Sequence, residues 1–374
     1  MTCARRPSKP LGVNTPPLRR GWTTGACATA ATRAAAEALL TGHFPDPVTI
    51  HLPGGQSAAF ALAEARCDGK AAMAAIVKDA GDDPDVTHGA LIRATVSRGG
   101  AGSGITFRAG AGIGMVTLPG LPIPPGEPAI NPVPRRMMAE ALADVSARFG
   151  GGDDWVVEIS IPNGEALAQK TLNPRLGIIG GLSVLGTTGI VIPFSCAAWI
   201  DSIHRGVDVA RAIGLTHLAA STGRTSEEAV QRLYGLPDRA LLDMGDFVGG
   251  TLKYIRTHPV ERLTIAGGPA KMTKLAQGRL DLHSKRGSVD TEALTTLAGE
   301  LGADATLVDA ITKANTTLHV FELAAKLPLA AAIAARAHGV AQAVLGDAPV
   351  ALDIVVFDRE GRLMARHPSP PPEG

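Results

Sequence analysis

The chain has 374 residues, 45% of them hydrophobic and 19% charged, which is too apolar for a disordered chain and too long for one core, so two domains are expected. The balance of 36 Lys and Arg against 35 Asp and Glu supplies no overall field for nucleic acid or a membrane surface, and 8 Phe, 3 Trp and 2 Tyr are too few for a base-stacking strand binder. The 44 glycines and 27 prolines follow no triplet period, which excludes collagen and points to many functional loops.

In chain order, residues 1–17 are expected to form a flexible tail: Arg5 and Arg6 are followed by a polar, proline-rich stretch, not by the apolar core of an export signal. Residues 18–42 read as a loop entering an alanine-rich helix over 26–40, capped by Thr23 or Thr24 and stopped by Gly42. Strands are expected at 48–52, 58–63, 70–80 and 90–96, with the glycine-rich stretch 99–114 as loops. Seven prolines over 119–134 make an extended connection, which feeds a helix at 135–149 and a strand at 155–161. The turn Pro162-Asn163-Gly164 closes an α+β domain spanning 18–164.

Beyond it, over 165–366, strands and helices alternate. Strands are expected at 189–192, 216–220, 240–244, 263–266 and 351–357, and helices at 197–213, 226–234, 247–257, 291–301 and 317–337. This is the pattern of a parallel sheet covered by helices, an α/β domain, with 367–374 as a second flexible tail. Residues 176–200 carry no charge and are long enough to span a bilayer, but the glycines, Thr187, Thr188 and Pro193 inside them suit a buried strand–loop–strand. Cys3, Cys27, Cys67 and Cys196 are too scattered for a zinc framework, so no metal is expected and a reduced, cytoplasmic location fits.

In such a sheet, ligands sit outside the carboxyl ends of the strands, so the loops there are where chemistry is sought. Residues 181–188 run G-x-x-x-x-G-T-T, but Thr187 replaces the lysine of a phosphate-binding loop; Gly110-Ala111-Gly112-Ile113-Gly114-Met115 leaves a dinucleotide fingerprint incomplete, with no acid about twenty residues on. Ser221-Thr222-Gly223-Arg224, Gly245-Asp246-Phe247 and Gly267-Gly268-Pro269-Ala270-Lys271 end three successive strands. Lys271, Lys274, Arg279, Lys285 and Arg286 form a basic run that suits an anionic ligand, although a solvated face is the commoner explanation of such a run.

Several of these segments occur together in a known order. Leu18-Arg19-Arg20-Gly21-Trp22-Thr23-Thr24-Gly25, Asn131-Pro132-Val133-Pro134-Arg135, residues 177–191, Phe247-Val248-Gly249, residues 271–278, His283-Ser284-Lys285 and Ala314-Asn315-Thr316 resemble the CbiD family of cobalamin biosynthesis over roughly 18–357. The chain departs from that pattern at Gly268 and Ala270, at Asp246 and at 221–224. The resemblance implies a Rossmann-like part beside an α+β part, and a methyltransferase that moves the methyl of S-adenosylmethionine to ring carbon C-1 of cobalt-precorrin-5B. On that reading Gly180, Gly181, Ser183, Gly186, Thr187 and Thr188 hold S-adenosylmethionine. Thr23, Thr24, Arg135, Lys271, Lys274, Arg279 and Ser284 meet the tetrapyrrole and its carboxylates, and His283 is the expected proton-transfer residue. The rivals are a nicotinamide-dependent reductase and a non-catalytic tetrapyrrole carrier; a homo-oligomer stays open under each.

Overall fold

The computed structural model describes residues 17–283 and 288–368. Two compact units share the chain: one takes residues up to Ile113, Pro128–Lys170 and Leu182–Ser195, the other Gly114–Glu127, Thr171–Gly181 and the residues from Cys196 onward. Most of the expected tails, and Ser284, Lys285 and Arg286, lie outside the described residues.

The first unit is built around α1 (Thr24–Thr41). Thr23 caps it by accepting from the Ala26 N–H at 3.1 Å, and Gly42 ends it in the left-handed region with its N–H donated to the Ala38 carbonyl. Alanine dominates α1 because the helix is buried on nearly every side, and small side chains let its neighbours approach. Those neighbours are α2 (Pro132–Phe149), the hairpin of β2 (Val48–His51) and β3 (Ser57–Phe60), and a five-stranded sheet. The sheet runs β4 (Glu64–Cys67), β5 (Ala71–Val77), β6 (Leu91–Arg98), β9 (Trp155–Ser160) and β7 (Ile105–Ala109), antiparallel except for the β7–β9 pair. Strand β7 falls where only loops are expected, because the glycines on either side of its short half-buried alternation mask it. After α3 (Gly164–Ala168), the uncharged stretch forms two short strands joined by a loop, β10 (Ile178–Ile179) and β11 (Ile190–Val191). Instead of joining the parallel sheet, β11 pairs antiparallel with β1 (Gly21–Trp22); β10, in the second unit, pairs with β8 (Met115–Val116).

The second unit carries the expected parallel sheet. Its order is β13 (Leu241–Asp243), β12 (His217–Ser221), β14 (Arg262–Gly267), β15 (Ala351–Phe357) and an unexpected antiparallel edge strand, β16 (Leu363–His367). Helix α5 (Arg224–Tyr234) covers one face over Ala219, Ala266 and Val355; α4 (Cys196–Ala212), α6 (Val248–Thr257), α7 (Pro269–Ala276) and α11 (Leu329–Leu345) pack with Leu218, Ile265 and Ile354 on the other. Helices α8 (Thr291–Glu300), α9 (Ala305–Thr312) and α10 (Thr317–Leu323) complete that layer. The single helix expected over 317–337 is two, because Pro328 removes an N–H donor between α10 and α11. Among the described residues no helix is long and apolar enough to cross a membrane.

On the α5 face, Asp353, 7% exposed, ties four elements together. Its Oδ2 accepts from Arg262 Nε at 2.8 Å, Thr264 Oγ1 at 3.2 Å and Tyr234 OH at 3.4 Å, with Arg366 at 3.8 Å, while His217 Nε2 meets Thr264 Oγ1 at 2.8 Å. Burial first, then the charge of Arg262, pushes the His217 imidazole down to about 4. Asp353→Asn strands two arginines beside a neutral side chain and should cost about 3–5 kcal/mol in urea unfolding. Because His217 takes up a proton more readily once unfolded, its contribution is complete above about pH 6.5 and is lost as pH falls towards 4. His217→Gln should therefore flatten the acid limb of the stability–pH curve across that window; an unchanged limb contradicts the assignment.

Candidate active site

At the carboxyl end of the parallel sheet the connections diverge. From β12 the chain crosses by α5 to β13 on one side, then returns by α6 to β14 on the other, so the crevice between β12 and β14 is a topological switch point. Backbone bonds hold this end closed: Thr222 N–H donates to the Ala266 carbonyl at 3.0 Å, and Met244 and Gly245 N–H both donate to the Ser221 carbonyl at 3.1 Å. Gly267 is closely packed there: a Cβ would stand 2.7 Å from Thr222 Oγ1 and 2.6 Å from Met272 Cε, so both side chains would have to shift. The Ser221 hydroxyl, in a residue 1% exposed, has no hydrogen-bond partner among the described residues. The first turns of α5 and α7 follow Gly223 and Gly268, neither start closed by a side-chain cap, so their N–H groups are available to an anionic or polar ligand.

Charged groups ring this end. Lys271, in the first turn of α7, pairs with Asp246, which follows β13. Arg175 forks onto Glu227 of α5 at 3.0 and 2.6 Å. Asp243, last residue of β13, stands in register with Ser221, and its carboxylate makes no hydrogen bond among the described residues. Burial of the group, reinforced by the Glu227 charge, raises the Asp243 pKa above the ordinary carboxylate value. Above Asp243, the Trp199 indole N–H donates to its carbonyl at 3.0 Å.

The sequence-predicted residues divide between the units. Gly180 and Gly181 lie in the second, Ser183, Gly186, Thr187 and Thr188 in the first. Thr23 and Thr24 are buried at the start of α1: Thr24 Oγ1 accepts from Leu185 N–H at 3.0 Å and donates to Leu185 O at 3.2 Å. Gly186 has φ +126, and a Cβ on it would lie 2.4 Å from Thr23. Thr187 is exposed, and the Thr188 hydroxyl accepts from Ile190 N–H and donates to its carbonyl. Arg135, in the first turn of α2, donates to the Ile130 carbonyl at 2.8 Å and the Pro128 carbonyl at 3.1 Å. In the second unit Lys274 is 7% exposed and donates to the Leu282 carbonyl at 3.0 Å, while Leu282 N–H reaches the Asp246 carbonyl at 2.9 Å. Arg279 is half-buried, and exposed His283 donates its N–H to Asp281 at 3.1 Å. A cleft of about 340 Å³ beside Trp22, Phe60 and Asp79 in the first unit includes none of them.

Sequence reasoning missed Asp243, Trp199 and the Arg175–Glu227 pair. One signal for Asp243 was present, an acid about twenty residues beyond the Ser221 loop, but that loop lacks the glycines that would have prompted the search.

These features define a mixed α/β protein with a ligand-type crevice at the switch point of a parallel sheet. The CbiD family pattern matches residues 12–193, and that of the CbiD C-terminal domain matches residues 281–368. The chain is 62% identical to a cobalt-precorrin-5B C(1)-methyltransferase of Bradyrhizobium sp., over 94% of each chain. It is 61% identical to the protein of the same name from Agrobacterium fabrum, over 95% of this chain and 94% of that one. A crystal structure of a cobalamin biosynthesis protein (cbiD) from Archaeoglobus fulgidus is 29% identical, with TM-score 0.39, covering 72% of this chain and 83% of that one. The chain belongs to the CbiD family.

Gly186→Ala places a methyl group against Thr23 and forces a left-handed backbone on alanine; it should lower stability by about 1–3 kcal/mol in chemical denaturation, and an unchanged midpoint contradicts the packing.

Proposed function

We propose that the chain is an S-adenosylmethionine-dependent methyltransferase that methylates C-1 of cobalt-precorrin-5B to give cobalt-precorrin-6A in cobalamin biosynthesis, and that it works in the cytoplasm. The observation that carries this reading is identity of about 60% over nearly the whole chain to curated enzymes of that name. Support for the donor comes from the second unit, whose parallel strands and diverging crossovers favour a Rossmann-like reading, with the orphaned Ser221 hydroxyl and the open starts of α5 and α7 at the carboxyl end of its sheet.

That end, and not the 180–188 loop, is our choice for the donor. Gly186 answers to the close approach of Thr23, and the Thr24 and Thr188 hydroxyls are returned to backbone, which supports a structural role for the loop around the start of α1. Arg279 and Lys271 are assigned to the carboxylate arms of the tetrapyrrole, with Asp246 orienting the Lys271 ammonium. Arg135, in the first unit, remains a separate proposal for carboxylate binding. Lys274 is a positioning residue that holds the 280–283 segment beside Asp246. His283, exposed on that segment, is the proposed proton carrier.

A sulfonium methyl is already electrophilic: the bond to C-1 forms as the bond to sulfur breaks, with the electron pair left on sulfur. The protein's part is alignment at near-contact distance and exclusion of water, which needs fixed loops more than strong acids or bases.

An anaerobic assay with methyl-labelled S-adenosylmethionine and cobalt-precorrin-5B should place label in the corrinoid; no labelled product, where the Bradyrhizobium relative yields one, overturns the reading. Arg279→Ala should raise KM for the tetrapyrrole about tenfold and leave KM for the donor unchanged. Equal rises in both remove Arg279 from the substrate site.

A further inference from the structure

We propose that Asp243 and Trp199 form a nucleoside subsite at the edge of the parallel sheet, the Asp243 carboxylate accepting hydrogen bonds from the cis-diol of a ribose and the Trp199 indole lying against the purine. The inference rests on the methyl-donor reading above and names the part of the donor that this edge recognises.

Four observations meet there. Asp243 is the last residue of β13, in register with the buried, unpartnered Ser221 hydroxyl of β12. It lies about twenty residues beyond the Ser221 loop, the order in which a doubly wound sheet presents first its phosphate- or tail-binding turn and then its ribose acid. Its carboxylate oxygens have no donor among the described residues, although Arg175 stands close by; that guanidinium is taken by Glu227, so the acceptor capacity of Asp243 is left for a ligand. Finally, the Trp199 ring is held by its N–H on the Asp243 carbonyl yet remains 46% exposed, a large apolar surface to leave in water. Gly245, in the left-handed region at φ +56, lies against the Trp199 indole, where a Cβ would stand at ordinary contact distance, 3.6 Å from Nε1. An exposed aromatic wall and an exposed carboxylate without a donor among the described residues, brought together by the Trp199 N–H on the Asp243 carbonyl, match the two ends of an adenosine, which offers a flat base and two hydroxyl donors.

The same chemistry would take the adenosine half of a nicotinamide dinucleotide, so the experiment carries both ligands. Calorimetry on the full chain compares S-adenosylhomocysteine, its 2′-deoxy analogue and NADH, with Trp199 fluorescence as a second readout and thermal melting as the check on folding. The wild type should bind S-adenosylhomocysteine and lose at least about tenfold in affinity for the 2′-deoxy analogue. Asp243→Asn should weaken S-adenosylhomocysteine by a similar factor and no longer distinguish the two, and Trp199→Phe should abolish most of the quenching. Tight binding of S-adenosylhomocysteine that is indifferent to the 2′-hydroxyl and to Asp243→Asn overturns the subsite while leaving the methyl-donor reading intact. Binding of NADH alone, lost in Asp243→Asn, keeps the subsite and overturns the methyl-donor reading. Binding of neither ligand overturns both.

Discussion

The carbonyl of Ser221 governs the carboxyl end of the parallel sheet. Two successive N–H groups, of Met244 and Gly245, donate to it just past the end of β13, and on the other side Thr222 N–H reaches the Ala266 carbonyl of β14. Parallel strands leave a ragged row of unpaired backbone groups where they stop, and buried groups of this kind must be satisfied. Here they are satisfied across three strands by one short segment. The consequence is a fixed rim: the loops after β12, β13 and β14 are set by backbone bonds, so their side chains and the open first turns of α5 and α7 are presented without rearrangement. For a reaction whose carbon electrophile is supplied ready-made, a rigid rim is what the protein has to contribute.

The first unit uses the same device for a different end. Helix α1 is too buried for its first turn to be finished by water, and the Leu185–Gly189 turn finishes it instead: Gly25 N–H donates to Leu185 O, Thr23 N–H to Gly189 O, and Thr24 Oγ1 to the backbone of Leu185. A loop dense in glycine and threonine thus serves the helix it wraps. Small residues and hydroxyls are needed for the same reasons in close packing as in a phosphate-binding loop.

What could be read from the residues follows from this. Helix α1, β2, β5, β6, β9 and the alternation from β12 to β15 were legible because each carries its own period and its own cap or stop, as Thr23 and Gly42 do for α1. Strand β7 was hidden by flanking glycines; β11 was legible as a strand, but its apolar composition says nothing about its partner; and the break between α10 and α11 was hidden by alanines that continue the helical pattern through Pro328. The site was half legible. Loops ending the strands could be marked as candidate sites, but Asp243 becomes a candidate only when the register sets it beside Ser221, and Lys274 leaves the surface only when its ammonium is found on the Leu282 carbonyl. Charge runs in a sequence carry no information about which members are already paired; Lys271, matched by Asp246 from another strand's loop, is the example here.

The methyl donor is proposed to sit at the carboxyl end of the sheet in the second unit. Hydrogen exchange read by mass spectrometry, with and without S-adenosylhomocysteine, tests it directly. Slowed exchange concentrated in residues 221–226, 243–247 and 267–271 is the predicted result; protection confined to residues 180–189, with the sheet end unchanged, would contradict it.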